Sequence, residues 1–260
     1  SGAPGIMSTP EVVAEIVNNL IAVGVAPERI TIYERFLDQV ESVHYDRYVP
    51  KGVHVEVVEL LRRSILRYDP DTYVEVDFFG EDDTRSNMVR MVTERFTKIV
   101  NVPNMKDHGA AGVTGCLKNI AYGNFSNVAR SHYREKTNTY SFIGTLASLE
   151  PLRSRTVLHI MDGLRGVWQG GPFSPTRQFR FYPKQMMFGT DPVSMDRLLI
   201  DIIEDKRKAE KAVSVWDHSI ENVKNGRERF LREPGHIEYA GSLGMGVYDI
   251  AKIRKKSIEL

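Results

Sequence analysis

Cysteine is almost absent from this sequence, and its scarcity excludes several classes of protein. Cys116 is the one thiol among 260 residues. An intramolecular disulfide needs two cysteines, and a thiolate-bound zinc or iron–sulfur centre needs several, so this chain cannot supply any of them by itself. We expect Cys116 to be a small buried apolar residue, as free cysteines usually are, and we predict no iron–sulfur cluster from this chain.

A surplus of either charge is also lacking, because 35 lysines and arginines stand against 34 aspartates and glutamates, for a formal net charge of +1. Without a basic field, no nucleic-acid partner is predicted. No apolar run is long enough for a membrane span, and the opening residues do not form a signal peptide. The chain starts at Ser1 rather than at Met, so we expect a soluble protein that is either cytoplasmic or exported after loss of a leader.

The remaining composition is that of a globular α/β protein, with 42% hydrophobic and 27% charged residues. A helix start at Pro10 leads through a short turn to a β-type run at 29–34. Further β-type runs lie near 98–102 and at 156–161 and 185–190. Because a helix followed by a strand is half of a βαβ unit, we predict a mainly parallel, mixed sheet flanked by helices.

One α/β domain over residues 1–260 is the expected organisation, since this length suffices for one large core. An insertion over 36–97 is the alternative within that domain. The runs 53–60 and 72–79 in this segment alternate apolar and polar residues, which is typical of strands. We therefore predict a small inserted strand pair, arranged like a hairpin, beside the main sheet.

The chemistry concentrates in the segment 101–119, NVPNMKDHGAAGVTGCLKN. Its glycines let backbone approach a ligand closely, although their spacing is neither that of a P-loop nor that of a dinucleotide-binding loop. A helix begins toward the end of the segment, and free N–H groups at a helix N-terminus beside a lysine favour a carboxylate or phosphate. The predicted ligand-binding residues are Asn104, Gly112, Thr114, Gly115, Lys118 and Asn119.

Four stretches together resemble the domain of unknown function 362 family. In chain order they are STPEVVAEIVNNLIAVGV, VPNMKDHGAAGVTGCLKNIAYG, VLHIMDGLRGVWQGGP and MMFGTDPVSMDRLLIDII, of which the second is similar to the K-x-H … T … lKN core of that family. The resemblance implies an α/β fold and a candidate site, together with acids at Glu34 and Asp196, but no settled activity. Some relatives carry a ferredoxin-like cysteine cluster, from which this chain departs.

Glu34, His108 and Asp162 each follow a β-type run. Ligands of open α/β sheets collect outside the carboxyl ends of strands, so we predict that these three residues surround one cleft. The segment 124–136 carries two arginines and a histidine, and either closes over that cleft or forms ordinary charged surface.

The leading functional hypothesis is an enzyme that acts on a small anionic or carbonyl-bearing molecule. The predicted catalytic residues are His108, Lys106 and Asp162, and His108 is expected to transfer a proton because its ordinary pKa lies nearest neutrality. In a metal-assisted variant, histidine and carboxylates hold a divalent ion such as iron, manganese or zinc. The candidate metal ligands are Glu34, His108, Asp162 and Asp196. The rival hypothesis is a noncatalytic ligand-binding or accessory protein with the same cleft.

Overall fold

The computed structural model describes residues 7–59, 65–172 and 176–259. The described strands are β1 Thr31–Phe36, β2 His54–Glu59, β3 Tyr68–Glu75, β4 Arg85–Val89, β5 Ile99–Asn101, β6 Asn104–His108, β7 Gly112–Thr114, β8 Thr156–Val167, β9 Arg180–Phe181 and β10 Gln185–Gly189. The described α-helices are α1 Pro10–Ala22, α2 Leu37–Val43, α3 Cys116–Gly123, α4 Thr139–Ser148, α5 Leu152–Arg155, α6 Pro192–Ala209, α7 Ile220–Lys224 and α8 His236–Ser242.

A mixed six-stranded sheet organises the fold around the long strand β8. Strands β5 and β6 run parallel to β8, while β9 and β10 run antiparallel to it and β7 runs antiparallel to β6. The β-type runs predicted near 98–102 and at 156–161 and 185–190 lie in β5, β8 and β10. The predicted α/β class, with a mixed sheet flanked by helices, is therefore confirmed.

Two smaller strand pairs lie before the six-stranded sheet in the chain. The run at 29–34 forms β1, which pairs in parallel with β2. Strand β3 pairs with β4 in an antiparallel arrangement. The inserted strand pair is thus present, but its members are β3 and β4 rather than the runs 53–60 and 72–79, whose pairing was predicted wrongly. An alternating pattern reveals a strand and its buried face, whereas it does not specify the partner strand.

The helix termini follow local sequence signals. Helix α1 has Pro10 at its first position, as predicted, and buries Val13 and Val17 one turn apart. Helix α6 begins after Asp191, whose Oδ1 accepts a hydrogen bond from the backbone N–H of Ser194 at 2.8 Å. This is the usual geometry of an N-cap, so the first turn of α6 is satisfied by the residue that precedes it.

One apolar core connects the sheet with helices α3, α4, α6 and α8, which contact one another. Val58 of β2 and Tyr68 of β3 belong to the same core, so the segment 36–97 packs against the rest of the chain. No helix in the described ranges is long and apolar enough to cross a membrane. Central core residues include Met88, Met105, Leu117, Ile143 and Leu199.

Candidate functional site

The first part of the site is one face of strand β6. Side chains of a strand alternate between faces, so Asn104, Lys106 and His108 share a face. Thr114 of β7 is paired with Lys106 and lies on the same face. All four residues are buried. The sheet resumes after Pro103, and this extended backbone aligns the polar side chains.

The imidazole of His108 is held in one tautomer by the turn that follows β6. The backbone N–H groups of Ala110 and Ala111 each donate a hydrogen bond to His108 Nδ1 at 3.1 Å. In the neutral ring the proton therefore sits on Nε2, which has no acceptor within the described residues. Burial, followed by the charge of Lys118, lowers the pKa of His108 well below its ordinary value. His108 is thus a neutral hydrogen-bond donor near pH 7, and its role in proton transfer stays a prediction.

Lys118 lies on α3, one turn after β7. It is 6% exposed, and its Nζ lies 4.0 Å from the ring centroid of Tyr122, one helical turn further on. No carboxylate of the described chain forms an ion pair with it. Burial, and then the positive charges of Lys106 and Arg35, lower the pKa of Lys118 well below its ordinary value. These surroundings favour the neutral amine over the ammonium ion.

His132 and His236 have the opposite tautomer from His108. The Nδ1–H group of His132 donates to the carbonyl oxygen of Ala129 at 3.2 Å, and that of His236 donates to Glu233 at 3.4 Å. The Nε2 atom of each ring is buried and has no hydrogen-bond partner among the described residues. Burial is the main cause that lowers both pKa values to about 3. Both rings are therefore neutral near pH 7, with a free lone pair on Nε2.

Ring contacts and electrostatic effects show that these groups lie close to one another. The ring centroids of His108 and His132 are 4.9 Å apart, and the charge of Lys118 lowers the pKa of His108, His132 and His236. The ring of Phe230 lies 6.0 Å from that of His132, and so closes one side. We call the following residues the basic cluster: Lys106, His108, Lys118, His132 and His236.

Further polar atoms at the basic cluster have no partner. Asn104 Oδ1 and Thr114 Oγ1 are buried without a hydrogen bond in the described structure. The amide nitrogen of Asn104 is engaged, since it donates to the carbonyl oxygen of Arg165 at 2.8 Å. Buried polar atoms are nearly always paired in folded proteins, so several unpaired atoms in one region indicate a bound molecule or ordered water.

Glu34 and Lys106 form an acid and base couple at the edge of the cluster. Burial raises the pKa of Glu34 to about 7, against the opposing charge of Lys106. Burial lowers the pKa of Lys106 to about 8, and the charge of Glu34 opposes this. The pKa values of the two groups therefore both lie close to 7, and proton transfer at physiological pH requires pKa values in this range. Glu34 itself is half-buried on β1.

Asp162 has a different role from the one that its sequence position suggested. Strand β8 continues to Val167, so Asp162 lies in the middle of the strand rather than at its end. Its Oδ2 accepts the backbone N–H of Thr9 at 2.6 Å, and its Oδ1 accepts that of Leu164 at 2.9 Å. Both oxygens are thus occupied by backbone donors. Asp162 thereby positions the start of α1 on the sheet, and it is also the cross-strand partner of Asn104 on β6.

The expected anion site at the start of α3 is already filled by Asp196. Its Oδ1 accepts the N–H of Cys116 at 2.5 Å, and its Oδ2 accepts that of Leu117 at 2.9 Å. A Cβ atom on Gly115 would lie 2.1 Å from Asp196 Oδ1. Gly115 therefore makes room for a carboxylate of the protein rather than for a ligand. Burial raises the pKa of Asp196 to about 7, although the two backbone donors oppose this.

Gly112 and Asn119, two other predicted ligand residues, belong to the framework. Gly112 has a φ of +76°, and a Cβ atom there would lie 2.9 Å from a methyl group of Val215 and 3.0 Å from Pro234. A glycine is therefore required for the turn and for close packing. Asn119 donates from its amide nitrogen to Asn101 Oδ1 at 2.8 Å, and so holds α3 against β5.

The opposite face of β6 carries Asp107, which enters a network of ion pairs. Its Oδ1 accepts from Arg232 at 2.7 Å and from Arg207 at 3.4 Å. Glu228 pairs with Arg207 at 2.5 Å and with Arg232 at 2.8 Å. Each of the four side chains is at most 8% exposed. We call these residues the paired cluster: Asp107, Arg207, Glu228 and Arg232.

The paired cluster also supports the backbone of β6. Arg232 donates to the backbone carbonyl oxygen of His108 at 3.2 Å, so the network fixes the strand from which His108 projects. The sequence analysis did not identify His236, Phe230 or Arg232, because no motif or periodicity marks them. His132 was recognised only as part of the charged segment 124–136.

The four proposed metal ligands do not converge. Within residues 7–59, 65–172 and 176–259, no three His, Cys, Asp or Glu side chains are arranged to hold a metal ion. Asp162 and Asp196 are occupied by backbone donors, and the Nε2 atom of His108 carries a proton. Glu34 lies beside Lys106 instead. The buried thiol of Cys116 has a raised pKa because of burial, as expected for an inert cysteine.

A comparison with protein families places these residues in context. The chain matches the model of the family described as Domain of unknown function (DUF362) over residues 1–201. No curated protein and no solved structure matches the chain. The matched part includes Lys106, His108 and Lys118, whereas His236 comes after it. The chain therefore belongs to the domain of unknown function 362 family.

Proposed function

We propose that the basic cluster binds a small organic anion that carries a carbonyl group, and that the protein is an enzyme acting on this molecule. The observation that carries the proposal is Lys118, a buried amine whose described contact is the Tyr122 ring. Around this lysine, Asn104 Oδ1, Thr114 Oγ1 and the Nε2 atoms of His132 and His236 are buried without a hydrogen-bond partner in the described structure. Leaving a buried polar group unpaired costs about 1–3 kcal/mol. A ligand that pairs with these atoms and with Lys118 explains why this cost is tolerated.

The hydrogen-bonding groups around Lys118 suit such a ligand. The Nε2–H group of His108 is a fixed donor for a carbonyl or carboxylate oxygen. The Nε2 lone pairs of His132 and His236 accept from a hydroxyl or protonated acid group. Asn104 Oδ1 and Thr114 Oγ1 add two further unpaired oxygens. A small oxygen-rich molecule matches this mixture of donors and acceptors better than an apolar one.

Glu34 and Lys106 favour catalysis over binding alone. Their pKa values of about 7 and about 8 allow each to exchange a proton near neutral pH. A noncatalytic binding protein has no need of such a couple. The rival reading is supported by His132 and His236, because rings with a pKa of about 3 are weak bases that hold a ligand rather than move its protons.

Thermal unfolding with added ligands tests the proposal. Pyruvate, acetate and inorganic phosphate are compared at equal ionic strength, since a ligand of the native state raises stability by about 2.7 kcal/mol at a hundred times its Kd. We expect pyruvate to raise the unfolding temperature of the wild type and of Lys98→Met, which alters an exposed lysine. The same addition should not stabilise Lys118→Met. Equal stabilisation of all three proteins would exclude Lys118 from the site.

Metal analysis of the same samples tests the metal-assisted variant. A divalent ion that copurifies at one per chain, and whose removal abolishes the effect of pyruvate, would show that metal coordination rather than Lys118 provides the anion site. An unchanged pyruvate effect after treatment with a chelator supports the assignment to the basic cluster.

A further inference from the structure

We propose that Lys118 is a nucleophile that forms an imine with the carbonyl carbon of a small keto acid. The inference rests on the proposed function and adds a reaction class to it. Its geometric basis is the position of Lys118 on α3, where the side chain is buried, lies over the Tyr122 ring and has no carboxylate partner in the described chain. A lysine that only binds an anion does so best as an ammonium ion. A site that disfavours the ammonium form therefore suits a nucleophilic amine instead.

The groups that face Lys118 oppose an ammonium ion at this position. Positive or neutral basic side chains approach it from several elements, while the aromatic ring of Tyr122 favours a cation and Glu59 balances the charge of Arg35 through an ion pair. The facing groups are Lys106 and His108 from β6, Arg35 from β1, Tyr122 from α3, His132 from the turn before α4, and His236 from α8. Nearby positive charge and removal from water are the two means by which enzymes obtain an uncharged, nucleophilic lysine near neutral pH.

The same surroundings explain the choice of a keto acid. Lys106 contributes positive charge, which attracts the carboxylate, whereas Arg35 is already ion-paired with Glu59 at 2.9 Å. The fixed Nε2–H donor of His108 polarises a carbonyl oxygen, and thereby makes the carbonyl carbon more electrophilic. Lys106 is close enough to affect the pKa of both Lys118 and Glu34, so it is the group suited to carry protons between them.

The step is balanced without an oxidant or reductant. The lone pair of Lys118 Nζ attacks the carbonyl carbon, a C–N bond forms, and the carbonyl π electrons move to oxygen. Lys106 gives a proton to this oxygen and accepts one from the new C–N nitrogen, which leaves a carbinolamine. Lys106 then protonates the hydroxyl group, which departs as water, and takes the last nitrogen proton to give the imine. One amine and one carbonyl compound thus yield one imine and one water.

Reductive trapping tests this step. Wild-type protein is incubated at neutral pH with pyruvate and cyanoborohydride, and the modified lysine is identified by peptide mass analysis. We expect modification of Lys118 to exceed that of exposed Lys98 by at least about tenfold, since each unit of lowered pKa gives tenfold more free amine. Lys118→Arg, which keeps a cation but cannot form the imine, should lose the adduct, and Lys98→Met should retain it.

The outcomes separate the two proposals. Pyruvate that stabilises the wild type without an adduct on Lys118 would overturn the imine while leaving the binding site intact. A lack of both stabilisation and adduct would overturn both proposals. Equal labelling of Lys118 and Lys98 would show ordinary lysine reactivity and likewise overturn the imine. Circular dichroism of Lys118→Arg confirms that loss of the adduct does not arise from unfolding.

Discussion

The two faces of β6 bury charged and basic groups in opposite ways. On one face, the paired cluster joins two arginines to two carboxylates over distances of 2.5–3.4 Å, so its formal charges cancel. On the other, the basic cluster gathers two lysines and three histidines, and Glu34 is the acid coupled to it. The first arrangement pairs each charged group with one of opposite sign, although Arg232 Nε has no hydrogen-bond partner among the described residues. The second leaves buried atoms unpaired, as expected where a ligand completes the site.

This difference distinguishes the paired cluster, which supports the fold, from the basic cluster, which is the candidate site. In the paired cluster, each ion depends on the others, because removal of one partner leaves a buried charge unbalanced. In the basic cluster, loss of an unpaired group relieves the structure. Stability and function should therefore respond in opposite directions to substitutions on the two faces.

The largest effect is expected from Arg232→Met, which leaves Asp107 and Glu228 without one of their two arginines. Breaking a buried pair costs about 3–5 kcal/mol, so the free energy of unfolding in urea should fall by that amount. The exposed substitution Arg227→Met serves as the control. A loss of less than about 1 kcal/mol, comparable with an exposed ion pair, would place the cluster among ordinary surface pairs.

Lys118→Met should change the free energy of unfolding in the opposite direction to Arg232→Met, and so stabilise the protein. Replacement of a buried amine that has no ion-pair partner in the described chain by an apolar side chain of similar length should raise the free energy of unfolding by about 1–3 kcal/mol. Chemical denaturation measures this change, and Lys98→Met should remain within about 0.5 kcal/mol of the wild type. Destabilisation by Lys118→Met would indicate that the amine has a structural partner.

The third prediction concerns the pH dependence of stability. His236 has an unfolded pKa of 6.5 and a folded pKa of about 3, so only the unfolded chain gains the proton between these values. Its contribution to stability is complete above pH 6.5 and falls by about 1.4 kcal/mol per pH unit as the pH drops toward 3. His236→Asn, which retains a donor near the position of Nδ1, should remove this slope.

A comparison of the wild type with His236→Asn separates the contribution of His236 to the pH dependence of stability from that of other groups. Glu34 has a raised pKa, so its contribution to stability grows as the pH falls and partly masks the slope of the wild type. Urea unfolding at pH 7 and at pH 5 is therefore measured for wild type, His236→Asn and the exposed control His54→Asn. If His236→Asn keeps the slope of the wild type, His236 is protonated in the folded protein and the lone-pair assignment is wrong.

Asp196→Asn should have the smallest effect. A side-chain acceptor at a helix N-terminus contributes about 0.5–2 kcal/mol, and asparagine retains one oxygen for the N–H groups of Cys116 and Leu117. Thermal unfolding should show a modest loss that added acetate does not reverse, because no site is vacated. Asp201→Asn alters an exposed carboxylate on the same helix and is the control. Unchanged stability together with weaker pyruvate binding would move Asp196 into the ligand site.

Local sequence signals predicted the helix starts and the α/β fold class. Pro10 and Asp191 mark helix starts because their effects on the backbone act within one turn. The spacing of Lys106 and His108 places them on one face of any extended strand. The resemblance to the family directed attention to the same segment and to Lys118. The helix starts could be predicted because each depends on residues within a few positions of one another, whereas the roles of Lys106, His108 and Lys118 stay predictions.

The remaining features of the site depend on contacts between segments that are distant in the sequence. Asp196 reaches the start of α3 from α6, and there it occupies the N–H groups that the sequence assigned to a ligand. His236 arrives from α8 and joins His108, although no local pattern links them. Burial then sets the charge of Lys118, because the cost of an ammonium ion depends on everything that excludes water from it. The sequence determined which chemical groups are present and which neighbours share a face, whereas tertiary contacts determined which groups are already paired and which have no partner in the described structure.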